Sequence, residues 1–90
     1  MNLHAAIRSR LATLAPLSLE LFDESGRHAG HAGARPEGGT HWRLEIVSPL
    51  FEGRNTVARH RLVYAALGEL MQNPIHALEI RARAPGEAAG

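Results

Sequence analysis

The chain has 90 residues and a formal charge of +1, and 44% of its residues are hydrophobic and 21% are charged. This length allows one domain, and the composition is that of a folded globular protein rather than a disordered one. Cysteine is absent, so the chain has no disulfide, thiolate nucleophile or cysteine ligand of its own, and any metal binding has to use histidine.

The first quarter of the chain has the pattern of a helix followed by a strand. Asn2 can cap a helix that reaches about Ala15 and stops before Pro16. Its apolar residues are spaced by four, four and three positions: Leu3, Ile7, Leu11 and Leu14. From Leu17 to Phe22 the period changes to two, with alternating leucines at positions 17, 19 and 21, which predicts a half-buried strand.

Residues 24–40 contain five glycines and almost nothing that a core could bury, which predicts a long flexible loop. A second alternating strand follows from His41 to Ser48 and is expected to form a hairpin with the first. Asn55 or Thr56 can cap a second helix that reaches about Met71. A third strand runs from His76 to Arg83, and residues 85–90 read as a frayed tail.

The order helix, strand, strand, helix, strand predicts an α+β fold, in which two main helices pack on one face of a three-stranded sheet. We expect one domain over residues 1–90. The N-terminal segment contains no apolar run long enough for a signal peptide or a membrane span, so we expect a soluble, cytoplasmic protein.

Three of the six histidines are candidates for metal binding. His28 and His31, in the sequence RHAGH, lie in the predicted loop with no packing reason to be there, and two imidazoles at this spacing can reach one metal. A solvated polar loop explains the same residues. His76 begins the third strand on the side that faces the core, so a buried histidine bonded within the fold is the alternative to a ligand.

Two enzyme classes are excluded by missing motifs. The chain has no lysine, which removes a phosphate-binding loop of the P-loop type, and no serine lies in a GxSxG context. These absences remove the hydrolase and kinase interpretations.

The run GTHWRLEIVSPLFEGRNTVARHRLVYAALGEL, followed by IHALEIRARAP and preceded by FDESGRHAGHAG, resembles the BolA family over nearly the whole chain. The resemblance implies a fold similar to a class II KH domain and a non-enzymatic role as the partner of a monothiol glutaredoxin. In such pairs a [2Fe–2S] cluster is held jointly with the glutaredoxin and its glutathione. The family's ligands correspond here to His76 and to His28, with His31 as the second choice in the loop. We expect the free chain to be a monomer.

An alternative function is DNA binding, linked to transcription regulation, through a basic KH-like surface. Five arginines are the candidates for phosphate contacts: Arg54, Arg59, Arg61, Arg81 and Arg83. Against this alternative, the stretch that corresponds to the GxxG clamp of KH domains begins at Gly53 and lacks the second glycine. A solvated surface with scattered ion pairs to Glu69 and Glu79 is the simpler interpretation of these arginines.

Overall fold

The computed structural model describes residues 3–24, 41–73 and 75–87. The predicted cap Asn2 and almost all of the predicted loop, including His28 and His31, lie outside these ranges.

Two helices and three strands follow one another in the predicted order. Helix α1 spans Leu3–Leu11 and continues as a 3-10 turn over Ala12–Leu14. Strands β1 and β2 span Ser18–Asp23 and His41–Val47. After a 3-10 turn at Pro49–Phe51, helix α2 spans Thr56–Leu67, and strand β3 spans Ala77–Arg83. The predicted α+β fold with this element order is confirmed.

The sheet has the strand order β1-β2-β3, with β1 antiparallel and β3 parallel to β2. Both helices cover one face, because α1 and α2 each place apolar residues in a single core with the alternate residues of β2. The fully or nearly fully buried members of this core from these three elements are Ile7, Leu11, Trp42, Leu44, Ile46, Val63 and Leu67. The other face of β2 carries Arg43 and Glu45, as period-two alternation requires.

Two predicted boundaries are wrong. The α-helical part of α2 stops at Leu67, because Gly68 adopts a φ of +55° that an α-helix does not accommodate, and a 3-10 turn continues to Met71. Leu17 does not face the core and is 69% exposed. The reason is that the paired region of β1 begins with Ser18 opposite Val47, so no strand residue covers the side chain before it.

Ser48 connects three elements from a fully buried position directly after β2. Its hydroxyl donates to the carbonyl oxygen of Leu14 at 2.6 Å and accepts from the N–H of Leu50 at 3.1 Å. Its own N–H donates to the carbonyl oxygen of Arg83 at 3.0 Å. The end of α1, the turn after β2 and the end of β3 are therefore held by one residue.

The Ser48→Ala substitution is expected to destabilise the fold, because it leaves a buried carbonyl and a partly buried N–H without their partner. The expected loss of unfolding free energy is about 1–3 kcal/mol, measured by urea denaturation. Thr13→Ala is the matched control, since its hydroxyl also donates to a carbonyl oxygen, that of Arg10 at 2.9 Å, but is exposed. Equal losses for the two variants would contradict this account of Ser48.

Candidate functional site at the start of strands β2 and β3

His76 has an exposed side chain on a backbone that is fixed on both sides. Before it, Ile75 is only 1% exposed, and its N–H donates to the carbonyl oxygen of Leu70 at 3.1 Å. After it, Ala77 is the first residue of β3 and lies opposite His41. The interpretation of His76 as a buried histidine is wrong, because pairing with β2 starts one residue later and no strand residue covers the ring.

The segment of residues 25–40 is attached to the sheet beside His76. At its start, the N–H of Glu24 donates to the carbonyl oxygen of His41 at 2.8 Å, so the two ends of the segment lie on neighbouring strands. His41 in turn lies opposite Ala77, because β2 and β3 are parallel and begin at the same edge of the sheet. Both attachment points therefore share an edge with His76, although His28 and His31 themselves lie outside the described residues.

A cleft of about 330 Å³ opens at this edge. Its floor contains Trp42, which is 4% exposed and is the only tryptophan in the chain. The residues that line the cleft come from the position directly after β1 and from the starts of β2 and β3: Glu24, His41, Trp42, Ala77, Leu78 and Glu79. Glu24 and His41 could not be predicted as site residues from the sequence, because their positions here depend on strand pairing, which spacing along the chain does not show.

Arg43 fixes the position of Glu24 at the root of this segment. Its Nε lies 3.3 Å from Oε2 of Glu24, and its Nη1 donates to Oε2 of Glu45 at 2.7 Å. The guanidinium also stacks over the ring of Phe22, with 4.2 Å between the guanidinium carbon and the ring centroid. All three contacts lie on the sheet face opposite the helices. The contacts of Arg43 therefore stabilise the edge of the cleft from the uncovered face of the sheet.

The other described histidines are engaged within the helix layer. His60 is half-buried on α2 and packs edge-on against Tyr64, with 6.5 Å between the ring centroids. His4 places Nε2 at 3.3 Å from the carbonyl oxygen of Leu21 and lies 5.8 Å from the ring of Trp42. Within the described parts of the chain, no three histidine or acidic residues are grouped so that they could hold a metal ion. Those parts also contain no helix of the length and hydropathy that a membrane span requires.

A family model described as "BolA-like protein" matches residues 11–87 of this chain. The chain belongs to the BolA family. Human BolA-like protein 1 is 49% identical over 84 residues, which are 92% of this chain and 58% of that relative. The chain thus spans little more than half the length of this BolA relative. SufE-like protein 1 from Arabidopsis thaliana is 44% identical over 86 residues, which are 90% of this chain and 23% of that protein.

Solved BolA structures share the fold. BolA1 from Arabidopsis thaliana has a TM-score of 0.81 at 38% identity, with 99% of each chain covered. The BolA domain of SufE1 from the same plant has a TM-score of 0.80 at 42% identity, with 93% of each chain covered. BolA family proteins are generally regarded as non-enzymatic regulators or adaptors.

The five arginines proposed for DNA contacts do not form one surface in this BolA domain. Arg81 is exposed on the sheet face that the helices leave uncovered, whereas Arg61 is exposed on α2, which packs on the other face. Arg54 lies in the turn before α2 and donates from Nε to the carbonyl oxygen of Leu50 at 3.0 Å. Of the ion pairs predicted for these arginines, the one between Arg81 and Glu79 is present, whereas Glu69 pairs with Arg10, which is not one of the five.

Arg59 does not reach outward, contrary to its proposed role in phosphate binding. Its Nη1 and Nη2 bind the two carboxylate oxygens of Glu87 at 2.7 and 2.8 Å, and Nη1 also donates to the carbonyl oxygen of Ala82. Glu87 further accepts from the N–H of Ala84 at 2.9 Å. The prediction of a frayed tail is therefore wrong for residues 85–87, because a bidentate ion pair anchors them.

The hydrogen bonds from Arg59, followed by the one from the Ala84 N–H, lower the pKa of Glu87 to about 2 from its ordinary 4.5. A carboxyl group whose pKa is lowered by folding adds stability above its unfolded pKa and loses it as the pH falls through the folded one. Glu87→Gln should therefore lower the urea midpoint at pH 7, and its gap to the wild type should narrow as the pH falls from 4.5 to about 2. Glu69→Gln, which removes a single ion pair at 3.3 Å, is the control and should change the midpoint little. A gap that stays constant with pH would contradict the role of Glu87.

Proposed function

We propose that this BolA domain is a non-enzymatic iron–sulfur adaptor that binds a monothiol glutaredoxin and shares a [2Fe–2S] cluster with it. His76 is the ligand from the folded part of the chain, and His28 is the ligand from the segment of residues 25–40, with His31 as the second choice. The glutaredoxin and its glutathione supply the thiolates that this chain lacks.

The observation that carries the proposal is the shared edge of β2 and β3, where His76 and both ends of the segment come together. Neighbouring strands lie about 5 Å apart, so the start of β3 is only about 10 Å from Glu24 across the sheet. A chain spans at most about 3.6 Å per residue, so His28, four residues after Glu24, can extend about 14 Å from it. The covalent structure therefore allows a histidine of this segment to meet the ring of His76.

The chemistry of the donors fits a shared centre rather than a site that one chain completes. Imidazole nitrogen is a suitable ligand for iron, and His76 presents it at the rim of the molecule, where a second protein can approach. Histidine ligation gives a [2Fe–2S] centre a higher reduction potential than ligation by cysteine alone. In this chain, Ile75 and Ala77 fix the backbone of His76, and Arg43 holds Glu24 at the root of the second ligand's segment.

The relatives support an iron–sulfur role in general terms. A BolA domain similar to this chain is part of SufE-like protein 1, and that occurrence hints at a function related to iron–sulfur proteins. The relatives support this general role only; the glutaredoxin partner and the shared cluster are what we propose beyond it.

Replacing His76 is the direct test. The chain is mixed anaerobically with a monothiol glutaredoxin, glutathione, iron and sulfide, and visible absorption and EPR spectra are recorded. The wild type should give spectra that differ from those of the glutaredoxin alone. His76→Ala should lose this difference, whereas His60→Ala, on the helix layer, should retain it. Spectra that equal those of the glutaredoxin alone for the wild type would overturn the proposal.

Trp42 provides a second readout, because it lines the cleft and the chain has no other tryptophan. A bound cluster absorbs in the range of tryptophan emission, so reconstitution should quench Trp42 fluorescence. The signal of a Trp42→Phe mixture gives the contribution of the partner and is subtracted. His28→Ala should reduce the quenching if His28 is the ligand, while an effect confined to His31→Ala would transfer that role to His31.

DNA binding lacks a comparable observation, since Arg59 is neutralised by Glu87, and Arg61 on α2 and Arg81 on the uncovered sheet face are exposed on opposite sides of the sheet. DNA binding can be tested by measuring the affinity for duplex DNA at several salt concentrations. A phosphate-binding surface gives a slope of log affinity against log salt of about −0.9 per phosphate neutralised. We expect no measurable binding at moderate salt.

A further inference from the structure

The two outer strands of the sheet differ in how their free edges are protected. On β1, the side chains of α1 occupy the outward carbonyl oxygens, since Arg8 bonds that of Leu19 at 3.4 Å and His4 bonds that of Leu21 at 3.3 Å. On β3, protection covers the C-terminal part alone. There Arg59 donates to the carbonyl oxygen of Ala82, and Glu87 accepts from the N–H of Ala84.

The middle of β3 has an open edge. The carbonyl oxygen of Arg83 accepts from Ser48, so the odd-numbered residues of β3 direct their backbone groups towards β2. The backbone N–H and C=O groups of Leu78 and Ile80 consequently point away from the sheet. No hydrogen bond from another described residue reaches these four groups. Their side chains are only partly buried against the core.

We propose that a second copy of this chain pairs with this edge, in an antiparallel arrangement around a two-fold axis at Ile80. Residues with outward backbone groups then pair with one another, so Ile80 faces Ile80 of the second copy and Leu78 faces Ala82. The two sheets join into one of six strands. The carbonyl oxygen of Ala82 has two lone pairs and accepts the new bond besides that from Arg59.

The charges on β3 select this register. Glu79 and Arg81 lie on the face of the sheet that the helices leave uncovered, where their side chains are 54% and 52% exposed. With Ile80 on the axis, each Glu79 lies directly opposite Arg81 of the other copy, which gives two opposite-charge pairs. Moving the axis to Glu79 sets two carboxylates opposite each other, and moving it to Arg81 sets two guanidiniums opposite each other, both of which are unfavourable.

The contact also continues the apolar layer. The exposed parts of Leu78 and Ile80 would face Ala82 and Ile80 of the second copy, on the helix side of the joined sheet. A contact of one short strand is smaller than a standard stable interface, so the pair is expected to dissociate at about 10 µM and to form at about 0.1–1 mM. A monomer at low concentration is consistent with this expectation.

The test uses charge reversal on the full chain, with sedimentation velocity over this concentration range. Glu79→Arg places cations opposite cations in a self-pair, and Arg81→Glu places anions opposite anions, so each variant should associate at least about tenfold more weakly than the wild type. An equimolar mixture of the two variants should associate again, because every pair is then of opposite charge. The double variant E79R/R81E should also associate.

Circular dichroism checks that each variant is folded. Renewed association in the equimolar mixture is independent evidence that both variants are folded. In NMR spectra, the amide signals of Leu78, Ile80 and Ala82 should shift with concentration in the wild type and not in either single variant. A wild type that stays monomeric at about 1 mM overturns the proposal. Association that persists in both single variants also overturns it, because the contact then lies elsewhere.

Discussion

The parallel pairing of β2 with β3 is the constraint on which the candidate site depends. Two parallel strands cannot be joined by a tight turn, so the chain has to cross over the sheet, and α2 makes this crossover. Both strands consequently begin at the same edge, where His41 faces Ala77. If β3 were antiparallel to β2, His76 would lie at the far end of a seven-residue strand, about 20 Å away from the attachment of residues 25–40. His28, which can extend only about 14 Å from Glu24, could then not meet His76.

The core fixes the backbone at this edge and leaves one side chain exposed. Gly68 stops α2, and the 3-10 turn that follows directs the carbonyl oxygen of Leu70 towards the N–H of Ile75. Ile75 is buried and Ala77 is paired, so His76 has little backbone freedom although its ring faces solvent. A side chain held in this way loses little conformational entropy on binding a partner. On the opposite face, the contacts of Arg43 stabilise the same edge.

Local sequence patterns predict the elements of this fold but not the residues that meet at the site. Alternation and capping gave both helices and all three strands within a few residues, and Asn55 caps α2 as expected by accepting from the N–H of Ala58. These signals arise between near neighbours in the chain. The cleft and the pair of Arg59 with Glu87 involve residues more than 15 positions apart, so no local period reports them. The exposure of His76 was missed for a related reason, because strand parity does not show where pairing begins.

An accessible side chain at His76 and a protected sheet edge are opposing requirements in a domain of this size. Unpaired backbone groups at an edge favour association with other chains, and natural sheets cover them with side chains or charges. Here α1 covers carbonyl oxygens of β1, and the pair of Arg59 with Glu87 covers the end of β3 that is remote from His76. On β3, the residues with unprotected backbone groups are Leu78 and Ile80, next to His76. Covering them with a further helix or strand would close the approach to His76, so an edge open to a second chain follows from keeping that side chain accessible.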